Sequence, residues 1–175
     1  MGRCSRYARR RSPALCGILE IVDRSDEELY EKHADELTRF ATGLVGPADA
    51  PDVVSSAVLT CMLSKAWPSV TNRRAYLFRG VQAAAHELHR ANLRRRAREE
   101  RVPRNESFEH PELRPEILAA VRALSVRQRA VTVLTYWFDL DPASVARMLD
   151  MSEGSVRRHL ARARSHLKES LHVDE

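Results

Sequence analysis

The sequence predicts an all-α fold: two small helical domains joined by an extended linker, the C-terminal one containing a helix-turn-helix. Three observations carry this. Alanine, leucine, arginine and glutamate dominate the 175 residues, while there are only 6 glycines and aromatics make up 6%, which favours helices over strands. Apolar residues recur at helical spacing through most of the chain. That pattern lapses between Glu99 and Pro111, where Pro103, Asn105, Ser107 and Pro111 surround one isolated aromatic, Phe108, the composition of a connector. The expected organisation is a poorly ordered basic arm over 1–24, a helical domain over 25–98, a linker over 99–111 and a second helical domain over 112–175.

The arm holds Arg3, Arg6 and Arg9 to Arg11 ahead of Leu15 to Leu19. Glu20 and Asp23 interrupt that apolar stretch too early for a secretory signal, so the arm reads as an over-long start or as a grip on nucleic acid. Residues 26 to 45 place Leu29, Leu37, Phe40, Ala41 and Leu44 on one face behind an acid-rich first turn, Ser25 to Glu28, and Gly46-Pro47 ends the helix. Val53, Val54, Ala57, Val58 and Met62 make a second stripe over 49–64. Trp67 to Asn72 reads as a loop, with Trp67 expected in the core. A longer helix runs from 73 to about 97 with Tyr76, Leu77, Val81, Ala84, Ala85 and Leu88 inward and ends in an arginine run.

Beyond the linker, Ile117, Leu118, Val121 and Leu124 share a face, and 126–138 forms the next helix. Asp141-Pro142 then starts a short helix with Val145, Ala146 and Leu149 buried. Asp150-Met151-Ser152 is a turn, with Asp150 in the place many such turns give to glycine. Ser152 caps a last helix whose Val156, Leu160, Ala163 and Leu167 continue the stripe. Two helices joined this tightly, with a small Ala146 at the crossing, make a helix-turn-helix. Arg157, Arg158, Arg162 and Arg164 point away from the stripe, and arginine reads guanine edges and binds phosphate.

Charge is sorted along the chain. Glu20 to Asp52 holds ten acidic and three basic residues, Lys65 to Arg98 nine basic and one acidic, and Arg157 to Lys168 five basic and no acidic ones. One acidic end and two basic faces imply two kinds of partner, one of them a phosphate backbone. No apolar run approaches the roughly 18 residues of a membrane span. Cys4, Cys16 and Cys61 are odd in number and irregularly spaced, which fits a reducing cytoplasm rather than a disulfide framework. His86 and His89 fall one residue short of the zinc-protease spacing. With no glycine-rich phosphate loop and no nucleophile constellation, the sequence predicts no enzyme, no metal and no cofactor.

Three segments carry a resemblance: Leu124-Ser-Val-Arg-Gln-Arg-Ala-Val-Thr-Val-Leu134, Pro142-Ala-Ser-Val-Ala-Arg-Met-Leu-Asp-Met-Ser-Glu-Gly-Ser-Val-Arg157 and His159-Leu-Ala-Arg-Ala-Arg-Ser-His-Leu167. Together they resemble the C-terminal domain of extracytoplasmic-function sigma factors, which binds the −35 promoter element. More loosely, Glu28 to Leu37, Asp49 to Leu59 and Arg74 to Arg79 resemble that family's N-terminal domain. The chain departs from the family pattern at Pro51, Ser55 and Ser56, and at Ala83 and Glu87.

The resemblance implies a bacterial, cytoplasmic specificity subunit. Its partners would be core RNA polymerase (clamp helices and flap of the large subunits), promoter DNA and an anti-sigma factor. It assigns Ser152, Ser155, Arg157, Arg158, His159 and Arg162 to the −35 element. It assigns Asn72, Arg73, Arg74, Tyr76 and Arg79 to base capture at −10, and Arg90, Arg94, Arg95 and Arg96 to the strand's phosphates. Asp49, Asp52, Val53, Ser56 and Leu59 become the polymerase-binding surface. The alternative is a helix-turn-helix regulator that does not dock stably on core polymerase; promoter melting separates the two.

Overall fold

The computed structural model describes residues 24–98 and 115–171; the basic arm and the 99–111 linker with Phe108 lie outside the described residues. The described residues form seven α-helices: α1 (Arg24–Val45), α2 (Ala50–Met62), α3 (Arg73–Arg98), α4 (Pro115–Ala123), α5 (Val126–Tyr136), α6 (Pro142–Leu149) and α7 (Glu153–Leu171), with a 3-10 turn at Trp67–Ser69. No strand occurs among them.

Each boundary has a local cause. Gly46 takes a left-handed φ of 96° and its N–H closes on the Thr42 carbonyl at 2.9 Å, the conformation glycine adopts without strain. Pro51 sits in the first turn of α2, where no amide partner is lost. The Asn72 side chain caps α3 by accepting the Ala75 N–H at 3.0 Å. Ser125 and Gln128 form a reciprocal capping box at the start of α5, Asp141 caps α6 through the Ser144 N–H at 2.8 Å, and Ser152 caps α7 through the Ser155 N–H at 3.2 Å.

Helices α1, α2 and α3 bury Leu37, Phe40, Val54, Leu77, Phe78 and Val81 against one another. The long helix α3 therefore turns Phe78 fully inward, whereas Tyr76, expected inside, is half-buried. Helices α5, α6 and α7 enclose Val131, Leu134, Val145, Val156 and Leu160.

These two groups share one continuous hydrophobic cluster. The sequence predicts α5 to 138, but it stops at Tyr136. Asp139 then enters the left-handed region at φ 51°, and the chain reverses. That reversal carries Phe138 out of its own unit and between Phe40 and Phe78, edge-on at 6.4 and 5.8 Å, while the Arg39 guanidinium lies 5.6 Å over its ring. Beside it Val133 packs onto Gly43, and buried Arg129 donates from Nη1 to the Leu44 carbonyl at the end of α1. Helical units this small leave much apolar surface uncovered when alone; here each covers part of the other.

Candidate functional site

The recognition end of the helix-turn-helix is built from α6, its turn and the first turns of α7. Asp150 adopts the left-handed conformation, φ 54° and ψ 56°, so aspartate fills the role that glycine has in many such turns. Val145, Ala146, Leu149, Val156 and Leu160 are buried, which fixes the outward face of α7. Arg158 and Arg162 are exposed there and make no hydrogen bond or ion pair with another described residue. Arg157 is also exposed, but its Nη2 reaches back to Glu153 at 3.2 Å. The Ser152 and Ser155 hydroxyls contact each other at 2.9 Å beside the helix start. His159 is partly covered; burial, then the charges of Arg127, Arg162 and Arg158, lower its pKa and favour the neutral imidazole. Behind this face Arg164 is held against Tyr136, Nε to the hydroxyl at 2.8 Å, and Trp137 is exposed.

The start of α3 is more tightly tied than the sequence implies. Asp26 does not serve as a solvent-facing acid of the first turn of α1. It is buried and accepts from the Trp67 indole Nε1 at 3.0 Å and from Arg73 Nη1 at 2.9 Å. The Arg73 guanidinium stacks 5.0 Å over Trp67. Next to it Arg74 donates to Glu36 from Nε and Nη2, at 2.9 and 3.3 Å, and lies 5.1 Å over Phe78. The bond from Arg74 leads the causes that hold the Glu36 carboxyl below its usual range. Of the residues expected at the melted strand, Arg73 and Arg74 are thus already engaged by carboxylates, and Asn72 spends its side-chain oxygen on the cap. Tyr76 donates its hydroxyl to Ser64 at 3.3 Å, with Arg79 5.6 Å over its ring. Trp67 is buried. Asp26 and Glu36 were not legible as partners, because 41 and 38 residues separate them from Trp67 and Arg74 and no local pattern links them.

The expected polymerase-binding residues fall on α2 and its cap. Asp49, Asp52, Val53 and Ser56 line a groove of about 590 Å³ together with Glu87, Arg90 and Arg94 of α3. Leu59 is 44% exposed outside that groove. Val53 is buried and forms floor rather than rim. Arg95 and Arg96 follow Arg94 along α3. The described residues contain no cluster of three potential metal ligands and no helix long and apolar enough to cross a membrane. His86 faces inward with Nε2 buried and unpaired among the described residues.

Comparison with known proteins fits this geometry. Residues 114–167 match the family model for sigma-70, region 4, which spans the helix-turn-helix. An RNA polymerase sigma-E factor of Streptomyces antibioticus is 31% identical over 152 residues, covering 83% of each chain. The chain belongs to the extracytoplasmic-function RNA polymerase sigma factors. A sigma-E factor of Streptomyces avermitilis is 30% identical, covering 83% of this chain and 84% of its own. Among solved structures, the sigma factor RpoE of Bartonella quintana, in complex with the anti-sigma factor NepR, superposes with a TM-score of 0.61 at 20% identity, covering 87% of this chain and all of that one. CnrH in complex with the cytosolic domain of CnrY gives 0.59 at 22% identity, covering 91% and 96%. As a sigma factor the protein is a regulatory subunit that recognises promoters and acts with core RNA polymerase to start transcription.

Proposed function

We propose that this sigma factor divides its task between its two helical units. The observation that carries the division is the separation of two differently built basic faces, the open arginine face of α7 and the braced start of α3. On α7, Arg158 and Arg162 read base edges of the −35 element. Arg157 joins them on release from Glu153, and His159, Ser152 and Ser155 lie against the phosphates at the helix start. At the other site Asn72, Tyr76 and Arg79 contact the unpaired −10 strand, and the arginines at the end of α3 follow its backbone. Arg73 and Arg74 brace the loop through Asp26 and Glu36 rather than meeting DNA themselves. The surface of Asp49, Asp52, Val53, Ser56 and Leu59 takes the polymerase. The protein acts in the cytoplasm as a binding subunit, not an enzyme, and an anti-sigma factor of the kind seen on RpoE is its regulator.

The closed packing cannot serve both elements at once. Their labels put them about 25 base pairs apart, roughly 85 Å at 3.4 Å per step. A compact chain of 175 residues has a radius of gyration of only about 16 Å. The contacts of Phe138, Val133 and Arg129 with α1 and α3 must therefore part before the two elements are read together.

Reconstitution tests the reading. Purified protein mixed with bacterial core RNA polymerase should co-elute with it, and sequencing the RNAs it initiates on genomic DNA should reveal a shared two-part promoter. Binding to DNA with neither co-elution nor initiation would refute it in favour of a regulator that works without docking.

A further inference from the structure

The sequence places Arg90 and Arg94 with the arginines that follow DNA. In the folded chain they line the same groove as Asp49 and Asp52. The four side chains sit around one depression, yet none of them makes a hydrogen bond or ion pair with another described residue. Asp49 precedes α2 without using its carboxylate as a cap. Buried Val53 and partly buried Leu88 supply an apolar floor.

A phosphate backbone is a poor occupant for such a groove. A phosphate brought to Arg90 or Arg94 would enter a groove that Asp49, Asp52 and Glu87 also line, and a carboxylate repels a phosphate as an arginine attracts it. Three carboxylates thus oppose what two arginines attract. A protein surface presenting both signs beside an apolar stripe satisfies every wall, and such complementarity sets register and partner choice. An amphipathic helix has that form, since its apolar stripe is flanked by two independently charged edges.

We propose that Arg90 and Arg94 serve the polymerase rather than the DNA: the groove between α2 and α3 takes one helix of the core enzyme, whose basic edge meets Asp49 and Asp52 and whose acidic edge meets Arg90 and Arg94. This rests on the sigma reading and extends its docking surface from one helix to two. The surface predicted on α2 alone is acidic and incomplete; α3 supplies the opposite charge. The stretch that follows DNA is correspondingly shorter, running through Arg79 and the residues beyond Arg94.

The full-length chain, labelled with a fluorophore, should be titrated with core RNA polymerase in the absence of DNA. The assay compares the native protein, R90Q/R94Q, R90E/R94E and D49N/D52N. Binding of a fluorescent single-stranded −10 oligonucleotide is then measured for each at polymerase concentrations that saturate the complex. Arg90 and Arg94 are exposed, so circular dichroism should show native helix content, and the glutamine variant stands in if charge reversal perturbs folding. The expected result is at least a tenfold loss of polymerase affinity for R90Q/R94Q, about 1.4 kcal/mol, a larger loss for R90E/R94E, a loss for D49N/D52N as well, and little change in oligonucleotide binding. Unchanged polymerase affinity in the arginine variants, or an equal loss on both ligands, overturns the assignment. Failure of the native protein to bind polymerase at all overturns the sigma reading itself, a separate result.

Discussion

The contact between Gly43 and Val133 offers a direct test of how the two helical units meet. A Cβ placed on Gly43 would lie 2.6 Å from one Val133 methyl and 3.1 Å from the other, about 1 Å inside ordinary carbon contact. Valine is stiff at χ1, so turning the nearer methyl away would give up the favoured rotamer. Gly43→Ala should therefore cost about 1–3 kcal/mol in overpacking, partly offset by the roughly 1 kcal/mol that alanine gains over glycine in a helix. Val133→Ala alone should cost about 2 kcal/mol for two lost methyls and the space they leave. In the double variant the overlap is gone and the helix gain remains, so the two changes should be coupled by about 1–3 kcal/mol. Urea unfolding followed by far-UV circular dichroism, run as a double-mutant cycle on the full chain, measures this. Small-angle scattering should also show Gly43→Ala to be more extended than the native protein. A coupling below about 0.5 kcal/mol, the level of independent sites, would refute the closed packing of α1 on α5.

Three other expectations can be measured in the same way. Asp26→Ala strands the Trp67 indole N–H and the Arg73 guanidinium and should destabilise the fold by about 1–3 kcal/mol; it should also impair promoter opening by the reconstituted enzyme more than binding to a −35 duplex, and equal impairment of both would remove the bracing role. Stability should decline in acid in two stages. Burial, then Arg127, His89, Arg129 and Arg90, hold the His86 pKa below its ordinary 6.5, so the unfolded chain takes up a proton first and His86 lowers stability as pH falls below 6.5. The depressed Glu36 carboxyl acts lower, contributing stability above 4.5 that is lost as pH falls through its folded value; His86→Leu should flatten only the upper stage and Glu36→Gln only the lower, as read from urea midpoints across pH. Arg162→Ala should cost about 1–3 kcal/mol on the cognate −35 sequence and relax discrimination at one position, whereas a uniform loss across sequences with a shallower salt dependence would mark it as a phosphate contact.

Periodicity carries much of this protein. The apolar stripes of α1, α2, α6 and α7 recur at helical spacing, and a buried stripe must face a neighbour, so helix positions follow from the chain alone. The helix-turn-helix was legible for the same reason: Asp141, Asp150 and Ser152 act on residues within a turn of themselves. Its arginine face follows by subtraction, since whatever does not enter the core of a capped helix points out of it. Membership of the sigma family is equally a property of the one-dimensional pattern.

What only the tertiary structure decided depends on residues far apart in the chain. Phe138 reads as the end of a helix and instead crosses to Phe40 and Phe78, because Asp139 reverses the backbone and a pocket awaits on the other unit. Arg73 and Arg74 read as unpaired arginines, whereas Asp26 and Glu36 arrive from α1 and pair with them. Arg90 and Arg94 read as one run with Arg95 and Arg96 until the packing of α3 on α2 sets them beside Asp49 and Asp52. The physical reason is common to all three. A side chain's type and helical face are fixed locally, but the charge or ring it meets is supplied by another element, and that pairing exists only once the helices have packed.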